Sequence, residues 1–335
     1  MFNKAKLKFD DIFENRLPED EVREYLVELY ERGESSAEIA AAASAMRDHL
    51  IPLQVPYHLK EKLIDNCGTG GDKSNSFNVS TTVSILMSAC GCYVAKHGNR
   101  SITSNSGSAD MLEALGMNLS ITVHKLADML EETGFAFMFA INHHPAMKYI
   151  MPIRKSIPHR TIFNILGPLS HPPSVPKQLI GVFSKDYIAK IAEALNMLDA
   201  KKAMVVSSND GMDEISISDI TYATSLTNGK IEDFVIDPQE HGLKLAPKEE
   251  ILGGDAKFNS IITRDILSGN EKGAKLDIVL INTAAALMVD GKARDLKEGI
   301  EIARDAILSG KAKEKLEQII KISNSIMWLN SESNI

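Results

Sequence analysis

The segment Gly68-Thr69-Gly70-Gly71-Asp72 follows the apolar Leu63-Ile64-Asp65 and precedes Phe77-Asn78-Val79-Ser80-Thr81. Glycines at this density let backbone N–H groups turn inward together, the geometry of an anion-binding nest. The next stretch, STTVSILMSA, reads as a helix whose N-terminus aims free amides and partial positive charge at the same point. Phosphate or pyrophosphate is the natural occupant. Two commoner phosphate loops fail on spacing. A dinucleotide fingerprint needs a third glycine where Lys73 stands, and a Walker loop ending at Lys73-Ser74 needs glycine at Cys67 and Asp72. A tight turn alone would explain the glycines but not the hydroxyl-rich helix start.

A second cluster, Lys96-His97-Gly98-Asn99-Arg100, leads into Ser104 and Ser106-Gly107-Ser108 and then the helical ADMLEALG. Lys96 is a point charge suited to pyrophosphate, and the serines are small donors at another helix start. A solvated loop is the competing reading at even odds. The acidic pair Asp213-Glu214, after AMVVSS and the turn Asn209-Asp210-Gly211, offers hard oxygen ligands of the kind Mg²⁺ takes beside substrate phosphates. An isolated pair of this type is usually just solvated. His143 and His144 precede Pro145, and Arg154 and Arg160 follow. Adjacent histidines diverge on regular backbone, which argues against a two-histidine metal site and for a ring-lining role. Arg154 has the fork that pairs with a carboxylate; a surface ion pair is its ordinary use.

The elements that must position these residues read as α/β. The first fifty residues are helical, with a stop at Gly33 and a capping box from Ser35 to Glu38 opening AEIAAAASAMRDHL. IPLQVPYHLK, with Pro52 and Pro56, breaks that pattern as a linker. From Leu63 short apolar runs alternate with helices. FAFMFA, QLIGVFS, KAMVVSS and KIEDFVI are strand candidates, while YIAKIAEALNML and the tail IEIARDAILSGKAKEKLEQIIKI are helical. HPAMKYIMPIRKSIPHRTIFNILGP interrupts the alternation and returns to the helical unit. The expected division is a small helical domain over 1–62 joined by a returning segment at about 145–172, and a large α/β domain over 63–144 and 173–335.

The chain has 335 residues, 44% hydrophobic and 24% charged, with a formal net charge of −8. That balance fits a packed soluble protein and argues against broad nucleic-acid binding, which needs a dense cationic surface. No run of about 18 apolar residues is present and MFNKAKLKFDDIFENR has no apolar signal core, so no membrane partner and a cytoplasmic location are expected. Cys67, Cys90 and Cys92 are too few and too oddly spaced for a disulfide framework or a zinc site.

Taken in order, DNCGTGGDKSNSFNVST, KHGNRSITSNSGSADMLEALG, HPAMKYIMPIRK, RTIFNILGPL, GMDEIS and NTAAALMVDGKARDLKEGIEIA closely resemble the anthranilate phosphoribosyltransferase family, over about residues 63 to 310. The resemblance implies a nucleoside-phosphorylase-like (class IV phosphoribosyltransferase) fold, with a small helical domain and a large α/β domain built on a central mixed sheet. It assigns Gly68, Gly71, Asp72, Ser76, Asn78, Val79, Ser80, Thr81, Lys96, Ser104 and Ser108 to phosphoribosyl pyrophosphate. Gly68, His97, Asn99, His144 and Arg154 match the anthranilate positions, with Arg154 toward the carboxylate. Ser80, Asp213 and Glu214 match magnesium positions, two ions being expected with the substrate. Family dimers pair through the small domain, which implies a homodimer here. The sequence departs from the family pattern at Ile141, at Ile157-Pro158 and at His171, which replaces an asparagine; Asn105 stands where many members carry lysine.

The implied reaction passes the phosphoribosyl group to the amine of anthranilate in tryptophan biosynthesis. An aromatic amine is neutral at pH 7, so no general base is assigned. Two rivals share the fold: a pyrimidine nucleoside phosphorylase-like enzyme, disfavoured by Asp213-Glu214 and the KHGNR wording, and a non-catalytic nucleic-acid-binding relative, disfavoured by the acidic balance.

Overall fold

The computed structural model describes residues 1–101 and 105–332. Helices α1 (Phe2–Phe13), α2 (Glu19–Arg32) and α3 (Ser36–Asp48) open the chain, and the short α4 (Tyr57–Lys60) leads to β1 (Leu63–Asp65). Then come α5 (Val79–Ala89), β2 (Tyr93–Gly98), α6 (Ser108–Ala114), α7 (Val123–Thr133) and β3 (Phe135–Phe139). A helical stretch, α8 (Ala140–His143), α9 (Met147–Ser156) and α10 (Phe163–Leu166), precedes β4 (Lys177–Gly181), α11 (Ile188–Met197) and β5 (Lys202–Ser208). The hairpin β6 (Thr221–Thr227) and β7 (Lys230–Ile236) is followed by α12 (Ala256–Leu267), α13 (Ala274–Asp290), α14 (Leu296–Leu308) and α15 (Lys311–Glu332).

The strands form one mixed sheet in the order β3-β2-β1-β4-β5-β6-β7, parallel from β3 to β5 and antiparallel through β6 and β7. Side chains alternate between its faces as strand geometry demands. Leu179, Met204 and Val206 join the large core under α5, α13, α14 and α15. Ile180, Ala203 and Val205 face the other way, into a second core with α1, α2, α3, α9, α10 and α11. Pro152 is tolerated inside α9, and α9 packs on α1 and α2. The capping box of Ser35 and Glu38 opens α3 as expected, and Arg32 pairs with the same Glu38. Strand β6 was not legible: TYATSLT is small and polar, and it gains strand character only by pairing with β5 and β7.

From β1 the chain runs outward to β2 and β3, then crosses to β4 and β5 on the other side. Such a reversal leaves a crevice beyond the carboxyl ends of the strands, the usual place for a ligand in an open parallel sheet. The glycine loop follows β1 and the acidic pair follows β5, so both open onto it. Among the described residues no helix is long and apolar enough to cross a membrane. Cys67, Cys90 and Cys92 are unbridged.

Candidate active site

The loop after β1 is pinned by its neighbours across the crevice. Thr69 N–H donates to the Gly181 carbonyl at the end of β4 (2.9 Å), and Gly70 N–H donates to Asp213 Oδ2 (2.6 Å). Gly68 and Gly181 are required by close approach. A Cβ on Gly68 would lie 2.6 Å from Asp213 Oδ2, and one on Gly181 would lie 1.4 Å from the Asp213 carbonyl oxygen. Behind the acidic pair, Asn282 of α13 grips Ile215 from both sides, accepting from its N–H (2.9 Å) and donating to its carbonyl (2.8 Å). The turn from β5 is therefore fixed at both ends, which aims Asp213 and Glu214 at the glycine loop.

Three carboxylates meet there. Asp213 and Glu214 retain some exposure, but Glu214 Oε2 and Asp72 Oδ2 are themselves shut from solvent without a hydrogen-bond partner among the described residues. Burial first, then the Asp72 charge, pushes the Asp213 carboxyl well above the ordinary carboxylate range. Glu214 is raised too, by burial and by Asp213. The Ser80 N–H at the start of α5 and the Lys96 charge oppose that rise without cancelling it. Among the described residues no group of three or more His, Cys, Asp and Glu side chains is placed to hold a metal ion. An open set of hard oxygen donors with unsatisfied charge suits a divalent ion such as Mg²⁺ that draws its remaining ligands from water and substrate phosphates.

Lys96 is not in a solvated loop. It lies within β2 at 2% exposure, where its charge acts on Asp65 and Glu214. Asp65 ends β1 fully buried; its Oδ1 accepts from Asn66 N–H (2.8 Å) and His97 N–H (3.3 Å), and burial raises it to about 6. Asn66 in turn donates to the Ser80 carbonyl (2.8 Å) and accepts from Ser84 (2.5 Å), tying β1 to the first turn of α5.

The other predicted residues divide between exposed to the crevice and already engaged. Asn78 precedes α5 and holds Ser106 and Asn259 (2.9 Å) rather than the glycine loop. Val79 and Thr81 are buried in the first turn of α5, Thr81 Oγ1 having no partner. Ser76 contacts Ser74 and bridges to Leu252. Ser108 opens α6 and locks onto the Asn99 backbone in both directions. Ser104 lies outside the described residues.

On the β2 side, His97 is buried with its ring 5.3 Å from His144 and 5.5 Å from His171. His143 turns away from His144 to the Ile51 carbonyl, so the adjacent pair diverges as expected. Burial lowers His144 to about 4, His171 to about 3, and His97 well below its usual value. All three are neutral rings at pH 7. Arg154 lies over Phe163 at 5.6 Å, and no ion pair or hydrogen bond joins it to these histidines or to any carboxylate among the described residues. It remains an uncommitted cation, not the surface ion pair that is an arginine's ordinary use. Asn99 is exposed at the end of β2. Of the departures from the family pattern, Ile141 and Pro158 are exposed, whereas His171 is wholly buried, hydrogen-bonded to the Ala95 carbonyl and 3.5 Å from Asp65 Oδ2. Asp65 and His171 escape local reading because each matters only through the other's distant segment; a charged residue closing an apolar strand was the available signal.

With this geometry established, comparison with known proteins is specific. Residues 60–313 match the glycosyl transferase family, a/b domain. An anthranilate phosphoribosyltransferase of Rubrobacter xylanophilus is 41% identical over 96% of this chain and 93% of its own length. The chain belongs to the anthranilate phosphoribosyltransferase family. The crystal structure of the Thermus thermophilus member superposes with a TM-score of 0.90 at 37% identity, covering 97% of this chain and 96% of that one. The Saccharomyces cerevisiae member in complex with PRPP and Mg gives 0.83 at 31% identity over 92% and 86% of the two chains. The same yeast protein with 4-fluoroanthranilate gives 0.84 at 27% identity over 97% and 92%. Family membership accounts for the α/β architecture with its helical layer, and makes the chain a pentosyl-transferring enzyme.

Proposed function

We propose that this chain transfers the phosphoribosyl group of phosphoribosyl pyrophosphate to the amine of anthranilate, giving N-(5-phosphoribosyl)anthranilate and pyrophosphate in tryptophan biosynthesis. One observation carries the reading: partly buried, cation-deficient carboxylates face a glycine-rich amide nest across the crevice, with a buried lysine behind them. A site of that kind takes a pyrophosphate together with divalent metal. The yeast relative bound to PRPP and Mg supports the same pairing.

In this reading Gly68, Gly71, Asp72, Ser76, Asn78, Val79, Ser80, Thr81, Lys96, Ser104 and Ser108 hold phosphoribosyl pyrophosphate, and Ser80, Asp213 and Glu214 hold two Mg²⁺ ions through that substrate. When bound, magnesium supplies positive charge for the leaving pyrophosphate. The bond from the ribose anomeric carbon to the pyrophosphate oxygen breaks, and the anthranilate nitrogen bonds to that carbon and sheds one proton. Loop amides and Lys96 meet charge that grows on the leaving group, so their stabilisation is larger in the transition state than in the ground state. Gly68, His97, Asn99, His144 and Arg154 receive anthranilate: neutral rings pack its apolar face, and Arg154, free of any carboxylate partner among the described residues, takes its carboxylate. Orientation supplies much of the rate.

The division into a helical domain over 1–62 with 145–172 and an α/β remainder belongs to the same proposal, as do a cytoplasmic setting and a homodimer through the helical domain. The exposed apolar Leu7 of α1 supports such pairing. Loss of anthranilate fluorescence on mixing protein, phosphoribosyl pyrophosphate and Mg²⁺ tests the reaction. Turnover that needs all components is expected; phosphorolysis of a pyrimidine nucleoside instead would replace this reading with the phosphorylase one.

A further inference from the structure

Arg160 sits between α9 and α10, on the helical side of the crevice, yet its side chain ends on the glycine loop. Its backbone is fixed first. His159 Nδ1–H donates to the Arg160 carbonyl (2.8 Å), and the His159 ring stacks on Tyr30 of α2 with centroids 3.8 Å apart and planes 16° apart. The guanidinium carbon then lies 3.7 Å from the centre of the Phe183 ring, just past β4, a distance at which cation and aromatic face attract. Finally, Arg160 Nη2 donates to the Gly71 carbonyl. Among the described residues no carboxylate pairs with Arg160.

That last contact governs the nest. Carbonyl and N–H of one trans peptide point in opposite directions. A donor holding the Gly71 carbonyl therefore turns the Asp72 N–H the other way. Thr69 and Gly70 spend their N–H groups on Gly181 and Asp213, while the N–H groups of Gly71, Asp72 and Lys73 have no partner among the described residues. Gly70, Gly71 and Lys73 all have positive φ, at 68°, 77° and 60°, a conformation with no regular ladder to hold it.

We propose that Arg160 is a positioning residue for pyrophosphate: reaching from the helical side, it clamps the Gly71 peptide so that free loop amides face the anion. The clamp rests on the phosphoribosyl pyrophosphate reading above for its ligand. It couples the helical segment to leaving-group binding through one side chain seated on Phe183.

The test measures phosphoribosyl pyrophosphate binding by calorimetry with Mg²⁺, initial rates, and amide exchange of the ligand-free loop, in wild type and in Arg160→Met, Arg160→Lys and Phe183→Leu. Arg160→Met is expected to raise Kd and KM for phosphoribosyl pyrophosphate about tenfold, the scale of one lost charged hydrogen bond. Its anthranilate KM stays within about twofold, and amides of residues 71–74 exchange faster. Arg160→Lys recovers less than half of the loss on a logarithmic scale, because an ammonium cannot lie flat on Phe183 while it donates. Phe183→Leu loses a few-fold. Unchanged binding and exchange in Arg160→Met overturn the proposal. So does full recovery by lysine, which would leave only a charge effect, or an equal rise in both KM values, which would mean general distortion. Wild type that binds no phosphoribosyl pyrophosphate defeats the proposed reaction, and the ligand-free exchange measurement still judges the clamp by itself.

Discussion

On the glycine-loop side of the crevice, Asp72, Asp213 and Glu214 crowd together; on the β2 side, His97, His144 and His171 do. Burial drives Asp213, Glu214 and the three histidines toward neutrality, raising those two acids and lowering the bases. The consequences differ. The histidines reach neutrality at pH 7 and carry no charge that calls for a counter-ion, but among the described residues His97 Nε2, His144 Nε2 and His171 Nδ1 are buried without a hydrogen-bond partner. The carboxylates stay in conflict until a cation arrives. One side lacks hydrogen-bond partners but carries no net charge, while the other lacks a compensating cation.

The largest effect that would break this contrast is expected at Asp213→Asn. Loss of one preorganised electrostatic contact to the transition state should lower kcat by on the order of 10²–10³, read in the anthranilate fluorescence assay. A variant that kept wild-type kcat at saturating Mg²⁺ would remove the acidic side from the chemistry. Next comes Arg154→Ala. It should raise the anthranilate KM about ten- to a hundredfold, as expected for a charged hydrogen bond to a carboxylate, and leave the phosphoribosyl pyrophosphate KM nearly unchanged. A rise in the second KM instead would move Arg154 to the wrong side of the crevice.

On the acidic side GTGGD carries its signal locally, whereas Asp213-Glu214 says little alone and gained its weight from the family resemblance that joined the two. The alternation of apolar runs and helices likewise announced the sheet. What stayed hidden depends on contacts across the chain. For Lys96 the sequence offers both a charge for pyrophosphate and a solvated loop, and its burial within β2, with its charge acting on Asp65 and Glu214, comes only from the assembled sheet. Asn282, which holds the acidic turn from α13, looks like one polar residue in NTAAALMVD. Arg160 heads the RTIFNILGPL segment, which says nothing of its contact; its meaning lies in a carbonyl 89 positions earlier.

Stability against pH offers a finer test, because the two sides slope in opposite directions. The folded histidines titrate near 4 and 3 for His144 and His171, against about 6.5 in the unfolded chain. Unfolded chain then binds more protons, so their contribution weakens as pH falls below about 6.5 and is complete above it. Moving from about pH 7 to about pH 5, wild type should lose about 2 kcal/mol relative to His171→Asn, measured by denaturant unfolding. The carboxylates behave inversely. Their raised folded values mean that the folded chain holds the extra protons, so metal-free stability falls as pH rises through that window. The smallest expected effect follows: an Asp213→Asn, Glu214→Gln double variant without Mg²⁺ should melt roughly 1–2 °C above wild type near pH 8, as about 1 kcal/mol gives in a chain this large, and should lose the further stabilisation that Mg²⁺ with phosphoribosyl pyrophosphate gives wild type. Parallel melting curves for variant and wild type from about pH 5 to 8 would show that the acids are not in conflict.

Gly181 bears on how such a site can change over generations. With the Asp213 carbonyl resting where a methyl group would stand, the turn after β5 has one admissible seating on β4. An insertion or deletion between Ser208 and Asp213 would lift the acidic pair off that seat. Descendants of this chain can therefore vary their chemistry by exchanging side chains around the crevice, while the length of that turn stays closed to experiment.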